Sequence, residues 1–470
     1  MNKYKKLFGN TLVFAVGSFG TKLLGFLLVA LYTRVMSEGE YSTVDLIYQT
    51  VNILVPLVTF SMSDAVIRFG MDNEYDHRKV YTCANLCVLF GMTVFMLFTP
   101  LVSKINTIGD YSFLLYIYCY FSCFRQIASQ YVRARGYVKL FAADGIFSVL
   151  TQVICNLVLL LGFKLGVTGY ILSIVISDGL SLCMLTLIAG LNKSLDTSFI
   201  SPKLIREMLK FSAPLIPTYL LWWITSASDR WFIVGMINAD TNGIYAVGNK
   251  LPTLLMLVTT IFYQAWQISA VSESGQGRST SKFYSETYDY YLTLLFLAGS
   301  GIMMLIQPIT KILYAPSYYE SWRFVPFLVV GEVFSSLVTF LGSFYMVSKR
   351  NATVPVAICA GAVVNIGLNL LLIPRAGVLG ASFATLVSYL VSFGIRAVDI
   401  RRLVEIDLRI LPTAVSFLLM MAQGALLMRS SEHVFLIQLG MFLLMLLVNL
   451  RAVVRLVFGV LGQLRSLYQS

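Results

Sequence analysis

Charge is scarce in this chain. Asp, Glu, Lys and Arg make up 12% of its 470 residues, against about 25% in a soluble domain. That excludes an ordinary water-facing surface. Histidine occurs only as His77 and His433, both in expected loops, so no His-centred metal cluster can be assembled. Long polar segments are missing too. The widest gaps between apolar stretches, around residues 68–79, 192–210, 272–285 and 310–323, are too short to hold a folded domain. This weighs against a membrane enzyme with catalytic carboxylates in a large external loop. The seven cysteines all fall inside apolar stretches. Cys83 and Cys87, like Cys119 and Cys123, have helical i, i+4 spacing, but the better reading is small hydrophobes packed between helices. A small-residue cleavage site before the first long apolar run is also lacking, so that run reads as an uncleaved first helix.

What is present is hydrophobic sequence of helical length. Apolar residues are 57% of the chain and the mean hydropathy is +0.78. About 20 residues are needed to cross a ~30 Å hydrocarbon core. Segments of that length are expected at 9–33, 41–67, 80–103, 111–132, 140–163, 168–191, 211–236, 243–271, 286–309, 324–347, 352–373, 378–398, 408–428 and 434–451. The expected fold is an all-α polytopic membrane protein of about fourteen transmembrane helices.

The cations choose sides of this array. Alternating loops from Lys3, Lys5 and Lys6 places 23 Lys/Arg on the N-terminal side and 7 on the other, with 5 of the 35 inside apolar segments. The positive-inside rule then puts both termini in the cytoplasm. The net charge of +12 is mostly this orienting excess and does not point to nucleic acid.

Residues 192–210 form a natural midpoint. Ser201-Pro202 followed by Lys203-Leu-Ile-Arg-Glu-Met-Leu-Lys210 has a cap, a proline at the first helical position and amphipathic spacing. A second amphipathic stretch runs from Arg451 to Arg465, at the C-terminus. The two sides of the midpoint echo each other: Met36–Asp45 resembles Met236–Tyr245, and Asn156 through Gly169 resembles Asn369 through Gly380. The period is six helices, so the copies are parallel repeats with a central cavity expected between them. The expected organisation is a six-helix lobe at 1–192, an amphipathic linker at 193–210, a six-helix lobe at 211–402, and an extra helix pair with its tail at 403–470.

An ionised side chain at mid-membrane costs about 2.5–3.5 kcal/mol even on a lenient insertion scale, so such groups face a wet cavity or a partner. The five intramembrane cations are Lys22, Arg68, Arg125, Arg230 and Lys250. Their depths make a positive ladder: Arg68 and Arg125 toward the cytoplasmic side, Lys22 near the middle, Arg230 and Lys250 in the outer part. A phosphate or diphosphate is the natural ligand for such a path. Competing structural roles are clear. Asp64 and Arg68 are one helical turn apart and can neutralise each other. Adjacent Asp229 and Arg230 point about 100° apart, which disfavours a pair within their own helix. Arg125 can snorkel to the interface. Lys22 is the leading functional candidate. Asp178 and Glu332 have no cation in their own helical turn and are candidates for proton or sodium coupling, or for a partner on another helix. Pro214 and Pro217 are expected to kink helix seven. Tyr284, Tyr288, Tyr290 and Tyr291 read as interface anchors rather than a sugar platform.

Several motifs, in this order, resemble one family. They are Thr33-Arg-Val-Met-Ser-Glu-Gly-Glu-Tyr41, Ala213-Pro-Leu-Ile-Pro217, Ser228-Asp229-Arg230, Gly243-Ile-Tyr-Ala-Val247, Tyr314-Ala-Pro-Ser-Tyr-Tyr-Glu-Ser321, and Asn369-Leu-Leu-Leu-Ile-Pro374 through Gly377-Val-Leu-Gly-Ala-Ser382. Over residues of about 8 to 400 the chain resembles the bacterial polysaccharide-biosynthesis flippases of Wzx type, within the multidrug/oligosaccharidyl-lipid/polysaccharide (MOP) exporter superfamily. The resemblance implies two six-helix lobes of MATE-like, V-shaped arrangement plus two C-terminal helices, working by alternating access in the bacterial cytoplasmic membrane. It implies an undecaprenyl-diphosphate-linked oligosaccharide as cargo. No cofactor is expected, and with no hydrolytic or transfer chemistry visible in the residues the expectation is a transporter rather than an enzyme. Asp229-Arg230 match a pair recurrent in that family; Lys22 and Lys250 rest on depth alone. H+ or Na+ as coupling ion, and other polysaccharide-assembly membrane proteins as partners, stay open. Two rivals share the superfamily. A lipid II flippase also has a cationic cavity, but the arginine-rich first helix associated with that group is missing. A drug/cation antiporter would want a carboxylate-dominated cavity.

Overall fold

The computed structural model describes residues 24–260, 262, 278–348, 354–429 and 433–455. Lys22 and most of the amphipathic C-terminal tail lie outside the described residues. The chain forms two compact units, residues 1–246 and 247–470. Seven described helices are long and apolar enough to cross a membrane, or eight if one bent pair counts as a span. The chain is an all-α, multi-pass membrane protein.

In the first unit, α1 (Leu24–Val35) is followed by α2 (Glu38–Val58). Ser37 and Glu40 start α2 with a capping box: Glu40 N donates to Ser37 Oγ at 3.3 Å, and Ser37 N donates to Glu40 Oε2 at 2.9 Å. The single span expected at 41–67 is broken. Pro56 lies in the last turns of α2, and Phe60 and Ser61 follow with left-handed backbones at φ 52° and 54°. The chain turns by 52° there into α3 (Met62–Gly70). Consecutive non-glycine residues in that region carry real strain. The neighbouring helix α4 (His77–Met96) meets the break with Gly91, where a Cβ would lie 1.9 Å from the Val58 carbonyl oxygen. Only glycine fits against that carbonyl.

Three further helices follow: α5 (Ser112–Ala134), α6 (Val138–Asn156) and α7 (Gly166–Ala189), with a π-helical stretch, Leu157–Gly162, extending α6. The midpoint helix forms as the sequence dictates. In α8 (Pro202–Ser212), Ser201 Oγ caps Leu204 N at 3.4 Å, and Leu204, Met208 and Ser212 are buried along one stripe. The expected helix at 211–236 is instead handed over through a 3-10 turn, Ala213–Leu215, to α9 (Ile216–Met236). Pro214 and Pro217 occupy the starts of these two segments, where a missing N–H costs nothing, so they separate α8 from α9 rather than kinking one helix. Next, α10 (Ala239–Gly248) stops at a turn before Pro252, and helix resumes over residues 253–260, so the segment expected at 243–271 is broken as well.

The second unit contains α11 (Arg278–Leu313), α12 (Val325–Ser348), α13 (Val354–Leu403), α14 (Ile410–Leu427) and α15 (Val434–Val448). Gly377, at φ 57° and ψ −140°, divides α13 into two helices, matching the boundary expected between residues 373 and 378. Buried amides fasten the last helices. Ser300 Oγ of α11 donates to Gln423 Oε1 of α14 at 2.7 Å, and Gln438 Nε2 of α15 donates to the Gln423 carbonyl at 3.2 Å. Such bonds hold apolar helices together where lipid offers no hydrophobic drive. Tyr284, Tyr288 and Tyr291 are buried, with Tyr284 against Phe344 and Tyr288 and Tyr291 against Phe340, so these three are core side chains rather than interface anchors.

Candidate functional site

The first unit carries two clusters of the same composition. In each, one guanidinium sits between two carboxylates among apolar helices.

The first joins α2, α9 and α10. Arg230 Nε lies 2.7 Å from Asp45 Oδ2, its Nη1 lies 3.3 Å from Asp229 Oδ1, and Nη1 also donates to the Ser226 carbonyl at 2.9 Å. The Tyr245 hydroxyl donates to Asp229 Oδ2, and its ring lies 6.0 Å from the guanidinium carbon. Arg230 is 5% exposed, Asp45 and Asp229 each 2%, and Tyr245 0%. Arg230 and Asp229 therefore do pair within one helix. Their Cβ directions diverge, but the long arginine arm folds back far enough to reach the neighbouring carboxylate. Close backbone contact holds the helices in place: a Cβ on Gly243 would lie 1.9 Å from the Glu38 carbonyl oxygen. Asn242 Nδ2 also donates to Ser42 Oγ at 2.8 Å.

Two more bonds continue this seam along α9. Trp223 Nε1 donates to the Gln49 carbonyl at 2.8 Å, and the Tyr219 hydroxyl donates to Asp64 Oδ2 at 2.9 Å. Asp64 therefore faces Tyr219. Arg68 turns the other way, to Asp72 at 3.6 Å, with its side chain 62% exposed. The one-turn Asp64–Arg68 pair does not form.

The second cluster joins α5, α6 and α7. Arg125 Nη1 lies 2.8 Å from Asp178 Oδ1, Nη2 lies 3.3 Å from Asp144 Oδ2, and Nε donates to Ser181 Oγ at 2.8 Å. Ser181 Oγ donates in turn to Asp144 Oδ1, and Ser122 Oγ donates to Asp178 Oδ2. Arg125 does not snorkel; it is spent on this network. Asp178 has the interhelical partner that its own turn could not supply.

Both clusters share one electrostatic property. With all groups ionised, two carboxylates face one guanidinium, leaving one negative charge in excess. Two of the five expected ladder cations are thus neutralised in this conformation. Lys250 lies in the turn just after α10, and Glu332 lies on α12. The sequence reading missed another buried cation. Arg396 falls in the segment expected at 378–398 but is absent from the five intramembrane cations. Because α13 continues to Leu403, Arg396 is two turns inside, buried, and donates from Nη1 to the Val338 carbonyl at 2.6 Å. Asp289, also buried, pairs with Arg409 at 2.8 Å. The signal for Arg396 was its place inside the segment expected at 378–398.

Comparison with known proteins agrees with this architecture. Residues 7–267 match the family model described as polysaccharide biosynthesis protein. No curated protein sequence matches significantly. Among solved structures, the chain resembles the lipid II flippase MurJ in an inward closed conformation, with a TM-score of 0.72 at 15% identity, covering 95% of this chain and 100% of that one. It also resembles an inward-facing multidrug resistance MATE family transporter of the MOP superfamily, at TM-score 0.68 and 12% identity, covering 81% and 95%. The Vibrio cholerae MATE transporter VcmN matches at TM-score 0.55 and 12% identity, covering 85% and 96%. The fold is that of these MurJ and MATE structures.

Proposed function

The chain belongs to the polysaccharide biosynthesis protein family, and from that premise we propose that it is a flippase. Its cargo is an undecaprenyl-diphosphate-linked oligosaccharide, moved from the inner to the outer leaflet of the bacterial cytoplasmic membrane by alternating access. The observation that carries this reading is the family match over residues 7–267. With the Lys/Arg-rich side taken as cytoplasmic, both termini belong to the cytoplasm in this reading. A diphosphate with about two negative charges gains roughly 4–5 kcal/mol per 100 mV on leaving an inside-negative cell. Cation contacts along the route offset the cost of taking that headgroup through the membrane.

In this reading Lys22, Arg68 and Lys250 contact the diphosphate, while Arg125 and Arg230 contribute only when their carboxylate partners let go. Opening α9 from α2 parts Arg230 from Asp45 and exposes the guanidinium. H+ or Na+ bound by the released carboxylates would couple that step to an ion gradient. The lobes at 1–192 and 211–402 and the extra pair at 403–470 belong to the same proposal.

A second reading, lipid II transport, is favoured by the likeness to MurJ. Against it, Lys22 is the one cation in the segment expected at 9–33, short of an arginine-rich first helix. The deciding measurement is the lipid-linked saccharide pool of cells lacking the protein, by mass spectrometry with leaflet accessibility probed. Accumulation of one undecaprenyl-diphosphate glycan facing the cytoplasm supports the proposal. Accumulation of lipid II favours the second reading, and an unchanged pool with altered sensitivity to cationic drugs favours an antiporter.

A further inference from the structure

The hairpin between α5 and α6 reads Arg133-Ala-Arg-Gly-Tyr-Val-Lys139, with three cations and no acid. The first acid in α6, Asp144, is already engaged by Arg125. Arg133, Arg135 and Lys139 make no ion pair among the described residues. Aromatic rings position the two guanidiniums instead. Arg133 lies 5.4 Å from the centroid of Phe141, and Arg135 lies 5.9 Å from that of Tyr131 and 5.8 Å from that of Tyr137. Arg135 Nη1 also donates to the Tyr131 hydroxyl at 3.3 Å. Gly136, at φ 77°, lets the chain turn tightly enough to bring these side chains together.

Beside the hairpin is an open cavity of about 680 Å³, lined by Tyr137, Lys139 and Leu140 on one wall and by Ile188 and Ala189 of α7 on the other. The apolar wall continues outward, with Ile188 65% exposed and Leu187 81% exposed. Lys139 is the cation in the lining and Arg133 and Arg135 lie on the same hairpin, while Ile188 and Ala189 make the facing side apolar. These are the two chemistries of a lipid at the level of its headgroup. We propose that this cavity binds one anionic glycerophospholipid of the inner leaflet, its phosphate held by Lys139, Arg133 and Arg135 and an acyl chain lying on Leu187 and Ile188. The site is separate from both carboxylate clusters and depends on the flippase reading only for the side of the membrane it faces.

Binding is measured on the purified full chain by native mass spectrometry, titrating phosphatidylglycerol against phosphatidylcholine. One phosphatidylglycerol should be retained selectively. Arg133→Gln, Arg135→Gln and Lys139→Gln together should weaken it about 100-fold, at roughly one kcal/mol for each surface cation removed. The single change Lys139→Glu, at an exposed position, gives the same direction if the triple variant does not fold. A triple change of Lys203, Arg206 and Lys210 to Gln on α8 should leave retention intact. Equal retention of both lipids overturns the proposal. So does loss in the α8 variant alone, or displacement by inorganic phosphate at the lipid's own concentration. None of these readouts requires transport, so failure of the flippase reading is seen separately.

Discussion

Arg230 of α9 and Asp45 of α2 meet at 2.7 Å with both side chains buried, and the pair fastens a helix near the middle of the chain to one near its start. Removing one partner from a buried pair costs about 3–5 kcal/mol, because the other charge is left stranded. Arg230→Met leaves two carboxylates facing each other and should lower the melting temperature strongly. Asp45→Asn leaves Arg230 balanced by Asp229 alone and should cost far less. A thermal-shift double-mutant cycle in detergent checks this, with a coupling above about 1 kcal/mol expected between the two positions. Additive effects would mean that the pair does not hold α9 to α2.

The Arg125 cluster has the same asymmetry and gives a second test. Its guanidinium serves Asp178, Asp144 and Ser181 at once. Arg125→Gln should therefore reduce the yield of folded protein more than either Asp144→Asn or Asp178→Asn. Size-exclusion profiles of the three variants decide it. Equal losses in all three would argue that every member is needed for packing, regardless of charge.

The elements that build these clusters were largely readable, but the pairings were not. Ser201-Pro202 announces α8, and Gly377 announces the division of α13, because caps and left-handed glycines act over a few residues. Asp64 and Arg68 looked like a local pair for the same reason. The structure separates them because each takes another partner: Asp64 accepts from the Tyr219 hydroxyl of α9, and Arg68 reaches on to Asp72. Asp45 with Arg230 and Asp178 with Arg125 depend on which helices adjoin, and one sequence carries no local signal for that. Arg396 sits near the end of its expected segment, where a cation ordinarily reaches solvent, and its burial follows from its contact with the Val338 carbonyl of α12, which carries no local signal.

Close approach at one glycine gives a test of packing free of charge effects. A methyl at Gly243 would sit 1.9 Å from the Glu38 carbonyl oxygen, whereas at Gly145 of α6 nothing lies within 4 Å. Gly243→Ala should destabilise by about 1–3 kcal/mol, since α10 must move off α2. Gly145→Ala should stabilise by about 0.5–1 kcal/mol through helix propensity alone. Thermal unfolding of both in the same detergent is sufficient. A neutral Gly243→Ala would show that α2 and α10 are not in close contact.

Transport itself should depend on Lys22 more than on any other cation. A diphosphate crossing the membrane needs positive charge at mid-depth, where the unmatched Coulomb and desolvation terms are largest. Arg125 and Arg230 are each held by two carboxylates, so neither is at hand before a conformational change. Arg68, at 3.6 Å from Asp72 and well exposed, is only weakly held, but its sequence position puts it near a membrane face rather than the centre. Lys22→Ala should therefore cut flipping at least about tenfold with near-normal folded yield, while Arg68→Ala costs a few-fold, following the depth dependence of charge in the bilayer. Lys22→Arg should restore much of the activity, since charge rather than shape is what the diphosphate needs there. The readout is the lipid-linked glycan left facing the cytoplasm in cells carrying each variant. Full activity in Lys22→Ala would remove that residue from the route and shift the burden to the cations released from the two clusters.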